Sequence, residues 1–561
     1  MNPDAVWHSD IESPMRDGVV LRGDLWRPDR PAPVVIFRTP YGRRRISSDV
    51  LTPMACVEFG WAAFVQDTRG RFGSDGEWKP IMWDQEALDT HDTVEWAAAQ
   101  PWCDGTVILA GTSYGGILSM LGGAARPPHL AGVAAAMVTT GRRDRVEMGG
   151  ALRLDHLFGW MIYMAADWLA RNSEYADAEN TALLGSLLAD PAAAMRTLPL
   201  AANPLARLRG FPLDVDKLLT GAEGTLPEWR PEAIEVPVFV TTGWYDVYAS
   251  STIDTFTEGV AANPEVPYRL LIGPWAHTGP LQHVQGELNF GVSASAAAIG
   301  LPARQLGFFR QCAESAPVLP SQQVDYFLMG ADAWMSADRW PPSGVVSRRF
   351  RLVCGAGTGR AGGLESDEVQ VDDGGIDTYV YDPLSPVPSR GGRLLHLGRL
   401  APGPIDLGRH CERGDTLHYL TEPLEQAVDV VGSVSMTVRV SLDRPDSDVF
   451  VRLVDRYPDG RMLPVAEGNT RVRFRDDPAV ADPLPPGETA TITVDLGYTA
   501  QRFRVGHQLG VVVTSSNFPH VDRNLNIAAP DAAGADPLPV TVGLHTAGSM
   551  LTLDILPGER I

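Results

Sequence analysis

Gly111-Thr112-Ser113-Tyr114-Gly115 is the one G-x-S-x-G in the chain. It follows the apolar run 106–110 and precedes 116–121, a run that predicts a helix with small residues at its start. Strand, sharp turn and helix make a nucleophile elbow, which lifts a hydroxyl to the carboxyl end of the strand. The flanking glycines let such a turn close without Cβ clashes. The backbone N–H of Tyr114, at the helix start, is then placed to stabilise an oxyanion. An ordinary strand-to-helix turn with a capping serine is the plainer alternative.

A serine hydroxyl is a weak nucleophile until a base takes its proton and a carboxylate orients that base. The apolar run 237–242 is followed by Gly243-Trp244-Tyr245-Asp246, and the run 269–272 by Gly273-Pro274-Trp275-Ala276-His277. Both Asp246 and His277 thus fall just past predicted strands, where open sheets carry their sites. The chain order Ser, Asp, His is the one an elbow serine requires. Of twelve histidines, His277 alone has such a position after the middle segment; His283 lies further from the strand end.

Three zones of the chain must position these residues. From Gly18 to about Val138, solidly apolar runs (18–25, 34–37, 61–65, 107–110, 133–138) alternate with polar stretches, of which 83–100 reads as a surface helix. This is the pattern of a mostly parallel sheet buried on both faces. From about Gly141 to Pro231 the apolar spacing is near 3.6, as in Leu154, Leu157, Phe158, Met161 and Ile162, which predicts a helical cap. Trp160, Tyr163 and Trp168 lie there, as cap core or as pocket lining. After about Ser343 the period becomes two: 433–442 and 490–496 alternate apolar and polar residues, and Asp459-Gly460 marks a hairpin. Some 200 residues of such strands fit a sandwich or jelly roll.

Composition narrows the function class. A chain of 561 residues suggests about three domains. Its formal charge of −22 argues against a nucleic acid or an anionic membrane as partner, because phosphate selects Lys and Arg. Five scattered cysteines with no C-x-x-C fit a reducing compartment. Met1–Gly18 carries four carboxylates and no apolar core, so it does not read as a signal peptide, and no stretch reaches about 18 apolar residues. A cytoplasmic protein without a membrane span is expected. Gly357-x-Gly359-x-x-Gly362 matches a dinucleotide fingerprint literally, but strand-like residues follow it, so it reads as a glycine loop. Asp443, Asp446 and Asp448 read as a solvated turn rather than a calcium site.

Further motifs occur in order: Arg38-Thr39-Pro40-Tyr41-Gly42, then Asp67-Thr68-Arg69-Gly70-Arg71-Phe72-Gly73-Ser74-Asp75-Gly76, the serine motif, the Asp246 and His277 motifs, 324–334, Tyr381-Asp382-Pro383, Pro386-Val387-Pro388, and Ser515-Ser516-Asn517-Phe518-Pro519. With these the chain resembles, over nearly its whole length, the cocaine-esterase-like (CocE/NonD) serine hydrolases, related to the X-Pro dipeptidyl peptidases. The resemblance implies an α/β-hydrolase core (1–140 and 231–343), a helical cap insertion (141–230) and a C-terminal jelly-roll β-sandwich (344–561). It implies Ser113 as nucleophile, His277 as base, Asp246 as its orienter, and Tyr41 as an oxyanion donor beside the Tyr114 N–H. By itself Tyr41 reads as loop packing.

For the pocket, the resemblance points to Trp160 and Trp168 in the cap. It adds Tyr248, where cocaine-hydrolysing relatives carry an aromatic, and Leu395 and His396 in a jelly-roll loop that reaches their site. A polar His396 there argues against a benzoyl-specific pocket. The expected activity is hydrolysis of a small-molecule carboxylic ester through an acyl-enzyme, with no cofactor and no metal. An acyltransferase, an amide acylase and an X-Pro aminopeptidase would use the same residues; a non-catalytic binding protein is the remote alternative. Relatives suggest a homodimer. Asp155 and Asp167 in the cap are the carboxylates that could read a substrate ammonium.

Overall fold

The computed structural model describes residues 6–45, 50–79, 83–139, 147–212, 230–314, 320–355, 361–368, 374–395, 400–528 and 536–557. Ten strands form the first sheet: β1 (Val6–Pro14), β2 (Val20–Arg27), β3 (Ala32–Thr39), β4 (Ala62–Asp67), β5 (Cys103–Thr112), β6 (Leu130–Ala136), β7 (Val238–Tyr245), β8 (Tyr268–Ala276), β9 (Gln322–Leu328) and β10 (Ala333–Ala337). Their order is β1-β2-β4-β3-β5-β6-β7-β8-β9-β10. From β4 to β9 neighbours run parallel. Every residue of β4, β7 and β8 is buried, which is why these strands read as unbroken apolar runs. The run at 18–25 differs from that pattern: it becomes β2, antiparallel to both neighbours. The turn between β1 and β2 is too short for the crossover that a parallel pair needs, and Gly18 closes it at φ +83°.

Helices α1 (Trp83–Ala98) and α2 (Tyr114–Ala124) cover the sheet, α3 (Leu154–Arg171) heads the cap, and α4 (Ala249–Ala262) follows β7. The cap core is the inner stripe of α3, Leu154, Leu157, Phe158, Met161, Ile162 and Ala165 among others, joined by Phe518 from the sandwich. The first N–H groups of α3 lack intrahelical acceptors; those of Leu154 and Asp155 donate to the carbonyls of His520 and Pro519. The sandwich therefore caps the cap.

In the sandwich, Val428–Leu442 lies between Thr489–Phe503 and Val540–Ile555, antiparallel to both. Its alternating face supplies Val434, Met436, Val438 and Val440 to the sandwich core. Asp448–Arg456 and Met462–Arg471 pair as a hairpin, with Gly460 at φ +93° in the turn. This is the jelly roll, and with the sheet and cap it makes an α/β hydrolase with a C-terminal β domain. Among the described residues no helix is long and apolar enough to cross a membrane, and the five cysteines are unpaired. Of the glycine loop, 356–360 lies outside the described residues; Ala361–Ser366 is a strand.

Two charged segments differ from their sequence reading. Helix α1 is not merely a surface helix: its inner face carries buried Glu86, Asp89, Thr90 and Thr93. Arg38 on β3 meets Glu86 at 2.8 Å, and Arg69 holds Asp89 with two bonds of 2.9 and 2.7 Å. Asp446 and Asp448 are buried rather than in a solvated turn. Asp446 pairs with Arg473 at 2.9 Å, Asp448 with Arg471 at 2.8 Å, and Asn524 donates to both. Buried carboxylates persist only when so paired.

The elbow forms as its composition predicts. Ser113 sits at φ 58°, ψ −124°, between β5 and α2. A Cβ on Gly111 would lie 2.3 Å from the carbonyl carbon of Gly115, and one on Gly116 2.6 Å from Val138. Only glycine fits such approaches.

Two stability predictions follow from these contacts. Arg38→Met strands Glu86 and should lower unfolding free energy by about 3–5 kcal/mol, whereas Arg16→Met, which breaks the exposed Arg16–Asp92 pair, should cost under about 1 kcal/mol; denaturant titration of both variants reads the difference. Ser113→Gly should be more stable than Ser113→Ala by about 1 kcal/mol or more, because the positive φ strains any residue with a Cβ.

Candidate active site

The carboxyl ends of β5, β7 and β8 bring three side chains together. Strands β7 and β8 are in register with Gly243 opposite Gly273, and Trp275 occupies the space that a Cβ on either glycine would take. That close approach sets the two strand ends side by side. His277 Nε2 is 2.9 Å from Ser113 Oγ, and His277 Nδ1 is 2.6 Å from Asp246 Oδ2. Asp246 is fully buried, and its second oxygen accepts the Tyr248 N–H at 2.7 Å. Both carboxylate oxygens are thus engaged, so the imidazole is held with Nδ1 toward Asp246 and Nε2 toward the serine. The arrangement can carry a proton from Ser113 Oγ to His277 while Asp246 balances the cation.

On the other side of Ser113, the Tyr114 N–H opens α2. The Tyr114 ring stacks on Trp160 at 6.2 Å and meets Tyr41 edge-on at 6.4 Å. Tyr41 follows β3 and packs against both the sheet core and the cap core. Its phenol oxygen accepts the Trp160 indole N–H at 3.1 Å. Burial pushes the Tyr41 hydroxyl up to about 12, against the opposing pull of the Trp160 bond. The phenol therefore keeps its proton at any ordinary pH and can donate it.

The remaining pocket candidates separate. Trp160 is at the seam of sheet and cap. Trp168 is two turns further along α3 and packs on Tyr175 at 5.3 Å and Phe211 at 5.6 Å, partly buried against the cap core. Tyr248 lies edge-on to His277 at 5.7 Å and forms a small cluster with Val247 and Leu395. His396 lies outside the described residues. Asp167 is paired with Arg71 and Arg171, each at 3.0 Å. Asp155 is buried beside His520 at 3.4 Å and accepts the His156 N–H.

Several contributors had no signal in the sequence. His156 Nε2 meets the Tyr248 hydroxyl at 3.0 Å; an isolated histidine on a helix carries no mark of such a partner. Arg393 is buried and bonds the carbonyls of Trp244, Leu496 and Tyr498, tying the Asp246 loop to the jelly roll. From the cap, Arg153 donates to the carbonyl of Val247 at 3.3 Å.

The family model described as X-Pro dipeptidyl-peptidase (S15 family) matches residues 17–279, and that of the X-Pro dipeptidyl-peptidase C-terminal non-catalytic domain matches 318–547. The chain is 34% identical over 539 residues, 92% of each chain, to the cocaine esterase of Rhodococcus sp. (strain MB1 Bresler). In fold it is similar to an aminopeptidase from a marine-sediment Thaumarchaeota archaeon (TM-score 0.76, 23% identity, 99% of this chain and 96% of that one). It is also similar to an α-amino acid ester hydrolase (TM-score 0.74, 22% identity, 98% and 97%). A relative this similar across nine-tenths of both chains, with the two family models falling on the sheet and the sandwich, establishes that the chain belongs to the cocaine-esterase-like (CocE/NonD) family of serine hydrolases.

Proposed function

We propose that the chain hydrolyses small carboxylic esters with a neutral acyl group, through a covalent acyl-enzyme on Ser113. The observation that carries this reading is the unbroken hydrogen-bonded series Ser113–His277–Asp246 at the elbow. Ser113 Oγ attacks the ester carbonyl carbon as its proton passes to His277 Nε2. The carbonyl oxygen takes the negative charge and is met by the Tyr114 N–H and the Tyr41 hydroxyl. The tetrahedral adduct collapses, the C–O bond to the alcohol breaks, and His277 returns the proton to the leaving oxygen. Water then attacks the acyl-enzyme with His277 again as base, and Ser113 leaves with its proton. Asp246 stabilises the imidazolium in both halves.

The neutral-acyl reading rests on the wall past Asp246. Val247, Tyr248 and Ala249 are buried there, and none carries a charge. A free ammonium in a dry pocket needs a carboxylate to meet it. Asp167 is occupied by two arginines, and Asp155 lies against His520. Within this reading the working unit is core 1–140 with 231–343, cap 141–230 and jelly roll 344–561. It acts in the cytoplasm as a homodimer; the five unpaired cysteines support a reducing compartment.

Ser113→Ala should abolish turnover and fluorophosphonate labelling in a folded protein; labelling that persists would remove Ser113 from its role. Tyr41→Phe should lower kcat by about 10²–10³, or roughly 2.7–4 kcal/mol, with little change in substrate binding. Neutral p-nitrophenyl esters should show higher kcat/KM than matched esters bearing an α-ammonium, and X-Pro anilides should be poor substrates. The opposite order, lost on Asp155→Asn or Asp167→Asn, would favour the aminopeptidase or amino-ester reading.

A further inference from the structure

Among the described residues, Tyr41 is joined to the cap by one hydrogen bond. Trp160 lies on α3, packs against the sheet core and the cap core, and donates its indole N–H to the Tyr41 phenol oxygen at 3.1 Å. Indole is a donor only. The phenol hydrogen therefore cannot point at Trp160 and must be directed to another acceptor. The Trp160 ring also stacks on Tyr114, whose N–H is the other oxyanion donor, at 6.2 Å and 19°. One side chain of the cap thus touches both residues assigned to the oxyanion.

We propose that Trp160 is a positioning residue for the oxyanion: its indole N–H fixes the Tyr41 phenol so that the phenol hydrogen is directed at the developing negative charge. This rests on the assignment of Tyr41 as an oxyanion donor. As the carbonyl oxygen gains charge, the Tyr41 O–H bond polarises and charge builds on the phenol oxygen. The indole N–H meets that charge, since hydrogen bonds in series strengthen one another. The gain is larger in the transition state than in the bound ester, so it falls on kcat. The oxyanion site is complete only with the cap seated, because its second donor is held by a cap residue.

A double-mutant cycle of Trp160→Phe and Tyr41→Phe on p-nitrophenyl esters tests this. Phenylalanine keeps a ring against Tyr114 and removes the N–H. Trp160→Phe is expected to lower kcat by about 3- to 10-fold, the worth of one hydrogen bond, with KM little changed. In the Tyr41→Phe background the same substitution should leave kcat unchanged, because the oxygen it served is gone. An equal loss in both backgrounds, or an effect confined to KM, would overturn the proposal and make Trp160 only a wall of the pocket. If Tyr41→Phe alone leaves kcat intact, the assignment of Tyr41 itself fails, and that result stands apart from the coupling. Should Trp160→Phe not fold, benzothienylalanine at the same position exchanges the N–H for sulfur within the same outline, and its cycle is read the same way.

Discussion

A fully buried carboxylate, Asp246, sits 2.6 Å from His277, and much of the architecture serves to make that placement tolerable. An unpaired charge in a dry interior would be neutralised or expelled. Here one oxygen accepts the imidazole and the other the Tyr248 N–H. The two strands that deliver Asp246 and His277 must then end at the same height. The opposed Gly243 and Gly273, with Trp275 filling the space over them, allow that approach.

Neither the cap nor the jelly roll is an appendage to this centre. Arg393 grips the carbonyl of Trp244 from the jelly roll, and Arg153 grips that of Val247 from the cap, so the acid loop is held from two sides. The jelly roll in turn caps the first turn of α3 through the carbonyls of Pro519 and His520. The acid loop is thus held by contacts from three zones of the chain. Buried arginine–carboxylate pairs, Arg38–Glu86 under the sheet and Arg473–Asp446 in the sandwich, hold charge inside each layer in the same paired manner.

In the proposed mechanism the oxyanion side obeys a different rule. One donor is backbone, and its place follows from the strained Ser113 turn at the start of α2. The other is the end of a tyrosine side chain, whose hydroxyl can rotate. A donor that can rotate is preorganised when something holds it before charge appears, and the Trp160 indole makes a directional bond to it from the cap.

How much of this was legible in the residues alone follows from the range of the physics involved. The elbow was legible because glycine at 111, 115 and 116 around a serine is a local backbone demand, complete within six residues. Asp246 and His277 were legible because strand ends show as the close of apolar runs. The sandwich showed in its period of two. What the sequence could not order is anything decided by the facing of one element on another. Trp160 and Trp168 share a helix and a residue type, yet eight residues separate them by about 12 Å and about 80° of turn, so one meets Tyr41 and the other Tyr175 and Phe211. Glu86, Asp446 and Asp448 read as solvent-facing because charge alone suggests water; their arginine partners come from elements tens of residues away or from across a hairpin. The sequence by itself determined the candidate reacting groups and the strand ends that carry them, since both are local. Only the tertiary structure decided which cap side chain meets Tyr41 and which buried charges find partners, because those depend on the relative orientation of whole elements.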